Sequence, residues 1–290
     1  MFSGALTAII TPFRDGAVDE RALRDFIEWQ IAEGIDGLVP CGSTGESATL
    51  THAEHETVIR ITIEQVNKRV PVVAGTGSNA TAEAIRLTRA AQEMGADGAL
   101  LISPYYNKPT QEGIVRHYRT IAQAVDMPLL VYNIPGRTGS NVLPETFAKI
   151  AEIKNIVGVK EASGSMDQVA DIIRLCGDRL AILSGDDALT LPIMALGGKG
   201  VIATIGNVMP REIHSLAKAA AADNFEFARE LHYKMLPLMR ALFVETNPIP
   251  VKQALAFMGK CANELRMPLV PMTASAAEKL HLVMKELHLI

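Results

Sequence analysis

Cysteine is scarce in this chain: 290 residues contain only Cys41, Cys176 and Cys261, and no two of them have the close spacing of a metal-binding pair. That pattern excludes a disulfide framework and a cysteine-based zinc site, and it is typical of a reducing cytoplasm. Lysine and arginine form no cluster and the formal net charge is −4, so we do not expect nucleic acid as a partner.

Long apolar runs are also missing. No stretch approaches the roughly 20 apolar residues that a transmembrane helix needs. Segment 1–10 is apolar, but it has no basic start and polar residues interrupt it, so we interpret it as a first strand rather than a signal peptide. We therefore expect a cytoplasmic protein without a membrane partner.

Short apolar runs, in contrast, recur about every 20 to 35 residues up to residue 222. They are rich in Val, Ile and Leu and do not alternate with polar residues, which is typical of strands that are buried on both faces in a parallel sheet. The runs are Leu6–Ile10, Gly37–Pro40, Val70–Ala74, Ala99–Ile102, Pro128–Tyr132, Ile156–Val159, Leu180–Leu183 and Gly200–Ala203.

Segments with helical spacing of apolar residues lie between these runs, for example Thr51–Val66 and Ala82–Met94. Eight strands that each precede a helix predict an α/β fold, a (β/α)₈ TIM barrel. A doubly wound open sheet is the structural alternative. After residue 224 the strand pattern stops and three helical segments follow, so we expect a barrel domain over 1–224 and a C-terminal helical segment over 225–290.

The active site of such a barrel forms at the carboxyl ends of its strands. The sequence places polar residues after most of the predicted strands, and three of the five tyrosines lie among them. These segments are Cys41-Gly-Ser43-Thr44-Gly-Glu46, Gly75-Thr-Gly77-Ser78-Asn79, Ser103-Pro-Tyr105-Tyr106, Tyr132-Asn-Ile-Pro-Gly-Arg137, Lys160-Glu161 and Ser184-Gly185-Asp186-Asp187.

Lys160 ends the sixth strand, where burial would lower its pKa and leave a nucleophilic amine of the kind that Schiff-base chemistry requires. Tyr132 ends the neighbouring strand, where a phenol can move protons at an imine. Arg137 can bind a carboxylate with two hydrogen bonds, and the glycines around Ser43 and Thr44 can expose N–H groups to a carboxylate or phosphate.

Each residue also has a purely structural alternative. Lys160 could extend its ammonium to water, and Tyr132 could be a packed tyrosine at the barrel mouth. Arg137 could be a solvated loop residue, and Ser43 or Thr44 could cap a helix.

Other motifs fail. The segment from Gly75 lacks the third glycine and the acidic partner of a dinucleotide-binding loop. His52 and His55 have no third metal ligand nearby in sequence. We expect no cofactor and no metal.

Four motifs in this order resemble the dihydrodipicolinate synthase family of the pyruvate-dependent class I aldolases, and the resemblance runs nearly end to end. They begin at Cys41, Ser103, Tyr132 and Gly158. The resemblance implies that the enzyme condenses pyruvate with L-aspartate 4-semialdehyde through a Schiff base on Lys160, in the diaminopimelate route to lysine. An N-acetylneuraminate or 2-keto-3-deoxy sugar acid lyase of the same superfamily is the alternative.

The resemblance also implies roles for individual residues. Tyr132, Ser43 and Tyr106 match a proton relay, with Tyr106 reaching into a neighbouring subunit of a homotetramer. Thr44 would hold the pyruvate carboxylate beside Gly185 and Ile202, and Arg137 the semialdehyde carboxylate. Ser43 stands where the family usually has threonine; it keeps the hydroxyl but loses the methyl group that stiffens χ1. The same Ser-Thr-Gly-Glu motif occurs in the lyase, whereas Arg137 favours the synthase.

A regulatory site is implied as well. Seven residues match positions that bind L-lysine in members of the family that lysine inhibits. They are Ser47, Ala48, His52, His55, Asn79, Glu83 and Tyr105. Glu83 can pair with an ammonium group, and Tyr105 adjoins Tyr106, so bound lysine could perturb the proton relay. An ordinary polar subunit interface is the alternative.

Overall fold

Eight parallel strands form the centre of the molecule in a computed structural model, which describes residues 2–290. The strands, numbered β1 to β8 in chain order, are Gly4–Ala8, Gly37–Val39, Val73–Gly75, Gly98–Ile102, Leu129–Asn133, Ile156–Glu161, Ala181–Ser184 and Gly200–Ala203. Their order in the sheet is β2-β1-β8-β7-β6-β5-β4-β3. A parallel bridge between Leu38 and Val72 joins the two outer strands, so the sheet closes into a barrel.

A layer of helices surrounds the strands. Helices α1 to α8 are Glu20–Ala32, His52–Val66, Thr81–Met94, Gln111–Ala124, Pro144–Ile150, Met166–Cys176, Thr190–Ala195 and Pro210–Ala221. Local sequence explains several helix ends. Thr51 and Glu54 form a capping box at the start of α2, and Gly95 ends α3 in the left-handed conformation, with φ of +91°.

The predicted TIM barrel is confirmed, and the predicted strands differ from the observed ones only at their ends. β1 begins at Gly4, two residues before the predicted start at Leu6. β3 begins at Val73 instead of Val70, because Pro71 has no N–H group for the ladder and only its carbonyl bonds to Leu38, at 3.0 Å. A two-residue hairpin, Phe13–Arg14 with Ala17–Val18, is an element that the apolar pattern does not predict.

Alternation along the strands separates two kinds of core. One cluster fills the inside of the barrel, and two others pack between strands and helices. On β6, Val159 packs toward the helices, so its neighbour Lys160 points into the barrel. On β5, Tyr132 also belongs to the inner cluster.

Three further helices follow the barrel: α9 (Phe225–Ala241), α10 (Ile249–Phe257) and α11 (Ala274–Glu286). Their apolar side chains join the same cluster that covers the outside of β1, so they share a core with the barrel. The division at residues 224 and 225 stays a prediction. Nowhere in residues 2–290 is a helix long and apolar enough to cross a membrane.

Candidate active site

A cavity of about 590 Å³ lies at the carboxyl ends of the strands. Ser43, Tyr132 and Arg137 line it from loops and strands of the barrel, and Asn247 and Pro248 line it from the segment before α10. The barrel and the C-terminal segment therefore build this site together.

Lys160 and Tyr132 are direct neighbours across β6 and β5. The Lys160 Nζ atom lies 4.3 Å from the centroid of the Tyr132 ring. Lys160 is only 7% exposed, so its side chain lies inside the barrel and does not extend into bulk solvent. Among residues 2–290 its side chain has neither a salt bridge nor a hydrogen bond. The amine is buried beside a phenol ring and not engaged with a carboxylate.

Burial lowers the pKa of Lys160 from its ordinary value of 10.5 to about 8, because the interior disfavours the charged form. The positive charge of Arg137 lowers this pKa further, whereas the negative charge of Asp187 raises it. A substantial fraction of the amine is thus neutral and nucleophilic near pH 8. Burial also raises the pKa of Tyr132, so its phenol keeps its proton and can donate it.

Asp187 is a buried acidic residue whose charge acts on Lys160, and the sequence pattern leaves it without a role. It is 1% exposed and accepts backbone hydrogen bonds from Thr204 at 3.0 Å and Ile205 at 2.7 Å. Burial raises the pKa of this carboxyl to about 6. The sequence shows two adjacent aspartates after β7, Asp186 and Asp187, but it does not indicate which of them points into the protein.

The loop with Ser43 and Thr44 joins β2 to a short 3₁₀ turn, Ser47–Thr49. Ser43 lines the cavity, and Thr44 is 3% exposed. The alternative in which Ser43 or Thr44 caps a helix is wrong, because the turn is preceded by Glu46 and α2 is capped by Thr51. The Thr44 Oγ1 atom instead accepts a hydrogen bond from Asn247 Nδ2 at 2.9 Å.

Arg137 lies in a one-turn helix, Pro135–Thr138, directly after β5. Its Nη2 atom donates to the backbone carbonyl of Asn247 at 2.9 Å. The residue is exposed, as the alternative of a loop arginine requires, but this bond fixes its guanidinium at the edge of the cavity. It is therefore positioned to meet an anion that enters the cavity.

The remaining predicted pocket residues fall into two groups. A side chain at Gly185 would place its Cβ 3.0 Å from Lys160 Cγ, so this glycine leaves room for the lysine. Ile202 is buried inside the barrel. Tyr106, in contrast, is 89% exposed and has a positive φ of 72°, and a single chain does not bring it to the cavity.

Most residues of the expected lysine site line the same cavity, namely Ser47, Ala48, His52, His55, Glu83 and Tyr105. Asn79 contacts this set through a hydrogen bond from its Nδ2 atom to the Tyr105 carbonyl, at 3.1 Å.

Two groups in this part of the cavity, Glu83 and His55, have lowered pKa values. Ser78 donates to Glu83 at 2.5 Å, and His52 Nε2 lies 3.0 Å from the same carboxylate. These contacts lower the pKa of Glu83, Ser78 more than His52, so the carboxylate is charged at neutral pH. His55 is buried with Nε2 2.9 Å from the Gly75 carbonyl, and burial lowers its pKa.

Comparison with known proteins agrees with this geometry. The model of the dihydrodipicolinate synthetase family matches residues 1–287. A relative from Syntrophus aciditrophicus named 4-hydroxy-tetrahydrodipicolinate synthase is 59% identical over 290 residues, which is all of both chains.

Two solved structures are similar throughout. The chloride-inhibited dihydrodipicolinate synthase from Acinetobacter baumannii, complexed with pyruvate, is 43% identical with a TM-score of 0.99 and full coverage of both chains. The enzyme from Cyanidioschyzon merolae with lysine bound is 42% identical with a TM-score of 0.97, covering 100% of this chain and 99% of that one. The chain is an enzyme, a lyase of the class I aldolase type, and it belongs to the dihydrodipicolinate synthetase family.

Proposed function

We propose that the protein is a 4-hydroxy-tetrahydrodipicolinate synthase that condenses pyruvate with L-aspartate 4-semialdehyde. The observation that carries this proposal is the buried amine of Lys160, without a salt bridge among the described residues and 4.3 Å from the Tyr132 ring centroid. A lysine in this state is suited to attack a ketone. The pyruvate complex of the similar Acinetobacter enzyme supports the first substrate.

The proposed reaction forms and breaks bonds in four steps. The neutral Lys160 amine adds to the pyruvate ketone, and loss of water gives an imine. Loss of a methyl proton turns the imine into an enamine, whose carbon attacks the aldehyde of the second substrate. The amino group of that substrate then attacks the imine carbon, closes the ring and releases Lys160.

Named side chains serve these steps in the proposal. Tyr132 and Ser43 move protons, together with Tyr106 of a neighbouring subunit. Thr44 holds the pyruvate carboxylate in the pocket shaped by Gly185 and Ile202. Arg137 holds the carboxylate of the semialdehyde.

Parallel assays test this assignment. The purified protein is given pyruvate with L-aspartate 4-semialdehyde, and separately N-acetylneuraminate or a 2-keto-3-deoxy sugar acid. We expect turnover of the first pair only. Cleavage of a sugar acid without condensation of the semialdehyde would assign the protein to the lyase instead.

We also propose that L-lysine binds beside the catalytic residues and inhibits. The charged carboxylate of Glu83 supports this, because it can pair with the α-ammonium of lysine, and so does the lysine-bound Cyanidioschyzon enzyme. Isothermal titration with L-lysine should show binding that weakens in Glu83→Gln. No heat of binding to the wild-type protein would remove the regulatory claim and leave the catalytic one intact.

The proposed assembly is a homotetramer in the cytoplasm. The exposed Tyr106 side chain supports an interface at this loop, and the three free cysteines are compatible with a reducing compartment. Light scattering after size-exclusion chromatography should give four times the mass of one chain. A stable monomer with full activity would exclude a role for a neighbouring Tyr106.

A further inference from the structure

We propose that Asn247 is a positioning residue that turns the Thr44 hydroxyl toward the bound pyruvate carboxylate. This inference rests on the proposed function, because it needs pyruvate in the cavity. Asn247 lies outside the barrel, in the segment between α9 and α10.

The contacts of Asn247 join the two ends of the site. Its Nδ2 atom donates to Thr44 Oγ1 at 2.9 Å, and its backbone carbonyl accepts from Arg137 Nη2 at 2.9 Å. Asn247 is 5% exposed and Thr44 is 3% exposed, so water competes little for the bond between these two side chains. One residue thus touches the groups that we assign to the carboxylates of both substrates.

The hydrogen-bonding capacity of the Thr44 hydroxyl explains the effect of the bond from Asn247. A hydroxyl has one hydrogen to donate and two lone pairs to accept with. Asn247 occupies a lone pair, and the Thr44 hydroxyl donates to no acceptor among residues 2–290. Its hydrogen therefore stays free for the ligand. A carboxylate can only accept hydrogen bonds, so this arrangement selects a carboxylate.

An acceptor at position 247 would reverse the arrangement. It would take the Thr44 hydrogen and present lone pairs to the substrate. In the structure the Nδ2 atom of Asn247 faces Thr44, and its buried Oδ1 atom has no hydrogen-bond partner among the described residues. The orientation of one amide thus decides whether Thr44 offers a hydrogen or a lone pair.

The experiment compares Asn247→Asp with Asn247→Ala and the wild type. The KM for pyruvate is measured from acidic to alkaline pH and divided by the wild-type value at each pH, which cancels the titration of Lys160. At neutral pH we expect Asn247→Asp to raise KM by about 10- to 100-fold, the range of a hydrogen bond to a charged group. The ratio should fall as the pH drops, because the introduced carboxyl group can donate to Thr44 once it is protonated.

Asn247→Ala should raise KM less, with a ratio that does not change with pH. A residue that only stabilises the fold would give both variants the same ratio at every pH, and that result would overturn the proposal. Circular dichroism melting checks that both variants are folded.

A second pair of variants keeps the test decisive if Asn247→Asp does not fold. Thr44→Val removes the hydroxyl itself. Because both changes act through one bond, Asn247→Ala combined with Thr44→Val should raise KM no more than Thr44→Val alone. Additive effects would contradict the proposal. Wild-type turnover of pyruvate and the semialdehyde is measured first, so failure of the proposed function is recognised separately.

Discussion

Two buried lysines, Lys160 and Lys252, have opposite surroundings. The side chain of Lys252 is 0% exposed and forms an ion pair with Glu46, whose side chain is also 0% exposed. Its Nζ atom donates to the Glu264 carbonyl at 2.8 Å and lies 4.0 Å from the Phe13 ring centroid. Within residues 2–290, the Lys160 amine forms no salt bridge and no hydrogen bond, and it lies 4.3 Å from the Tyr132 ring centroid.

This difference separates a structural lysine from a reactive one. Burial lowers the pKa of both amines, but Glu46 raises that of Lys252. Lys252 has two oxygen partners, Glu46 and the Glu264 carbonyl, that satisfy its ammonium and hold it in place. Among the described residues Lys160 has no oxygen partner in contact, and Asp187, which forms no salt bridge with it, offsets the effect of burial only in part. Its pKa therefore falls to about 8, and part of the amine is neutral and can react. Burial alone therefore does not make a nucleophile; burial without an anion in direct contact does.

Lys160→Met should have the largest effect on activity and is the strongest test of the difference between the two lysines. We expect the rate of condensation to fall by more than ~1,000-fold, because the nucleophile is lost. The free energy of unfolding should not fall, because the variant removes a buried amine that has no ion pair. Urea unfolding together with steady-state kinetics measures both quantities. A loss of stability comparable to that of Lys252→Met would contradict the distinction.

Lys252→Met should have the opposite outcome. It leaves the Glu46 carboxylate buried and unpaired, which costs about 3–5 kcal/mol of stability. Imine formation at Lys160 should persist in the folded fraction. Glu46→Gln combined with Lys252→Met is the matched control, and it should recover much of the loss because no buried charge remains. Equal instability of single and double variants would show that the ion pair is not the cause.

Arg137→Ala tests whether Arg137 binds the carboxylate of the semialdehyde. We expect the KM for the semialdehyde to rise by roughly 10- to 100-fold, the range for loss of a charge-assisted hydrogen bond. The KM for pyruvate should change much less. Steady-state kinetics with each substrate varied in turn measures the two values. Unchanged kinetics for the semialdehyde would reject the role of Arg137.

The smallest effect concerns pH. Asp187 raises the pKa of Lys160 and Arg137 lowers it, so Asp187→Asn should shift the pH profile of imine formation toward acid and Arg137→Ala toward alkali. The folded state releases the Lys160 proton near pH 8, and the unfolded state near 10.5. Stability contributed by this group therefore rises across that window, and Lys160→Met should lack the rise. Profiles that move in the opposite directions would refute these charge assignments.

Much of the fold is predictable because it depends on local patterns. Runs of Val, Ile and Leu reveal strands that are buried on both faces, and strand order then places Lys160 beside Tyr132. The exact strand ends depend on ladder bonds, as Pro71 illustrates. The expected roles of the lysine-site residues and of Tyr106 stay predictions.

Long-range partners of the site are not predictable in this way. Asn247 meets Thr44 across 203 positions of sequence, and no local pattern marks the contact. The same holds for Lys252, whose sequence neighbourhood does not reveal Glu46. Asp187 differs from Asp186 only through the turn that directs it inward. The contacts of Asn247 and Lys252 arise when the C-terminal segment packs against the barrel, whereas Asp187 is held by Thr204 and Ile205 of the barrel itself.

Trapping with borohydride shows directly which of the two buried lysines forms the imine. The wild-type protein is incubated with pyruvate and borohydride, digested, and mapped by mass spectrometry. We expect a reduced pyruvate adduct on the Lys160 peptide, increasing with pH around 8, and no adduct on the Lys252 peptide. An adduct on another lysine, or none on Lys160, would contradict the assignment of Lys160 as the nucleophile.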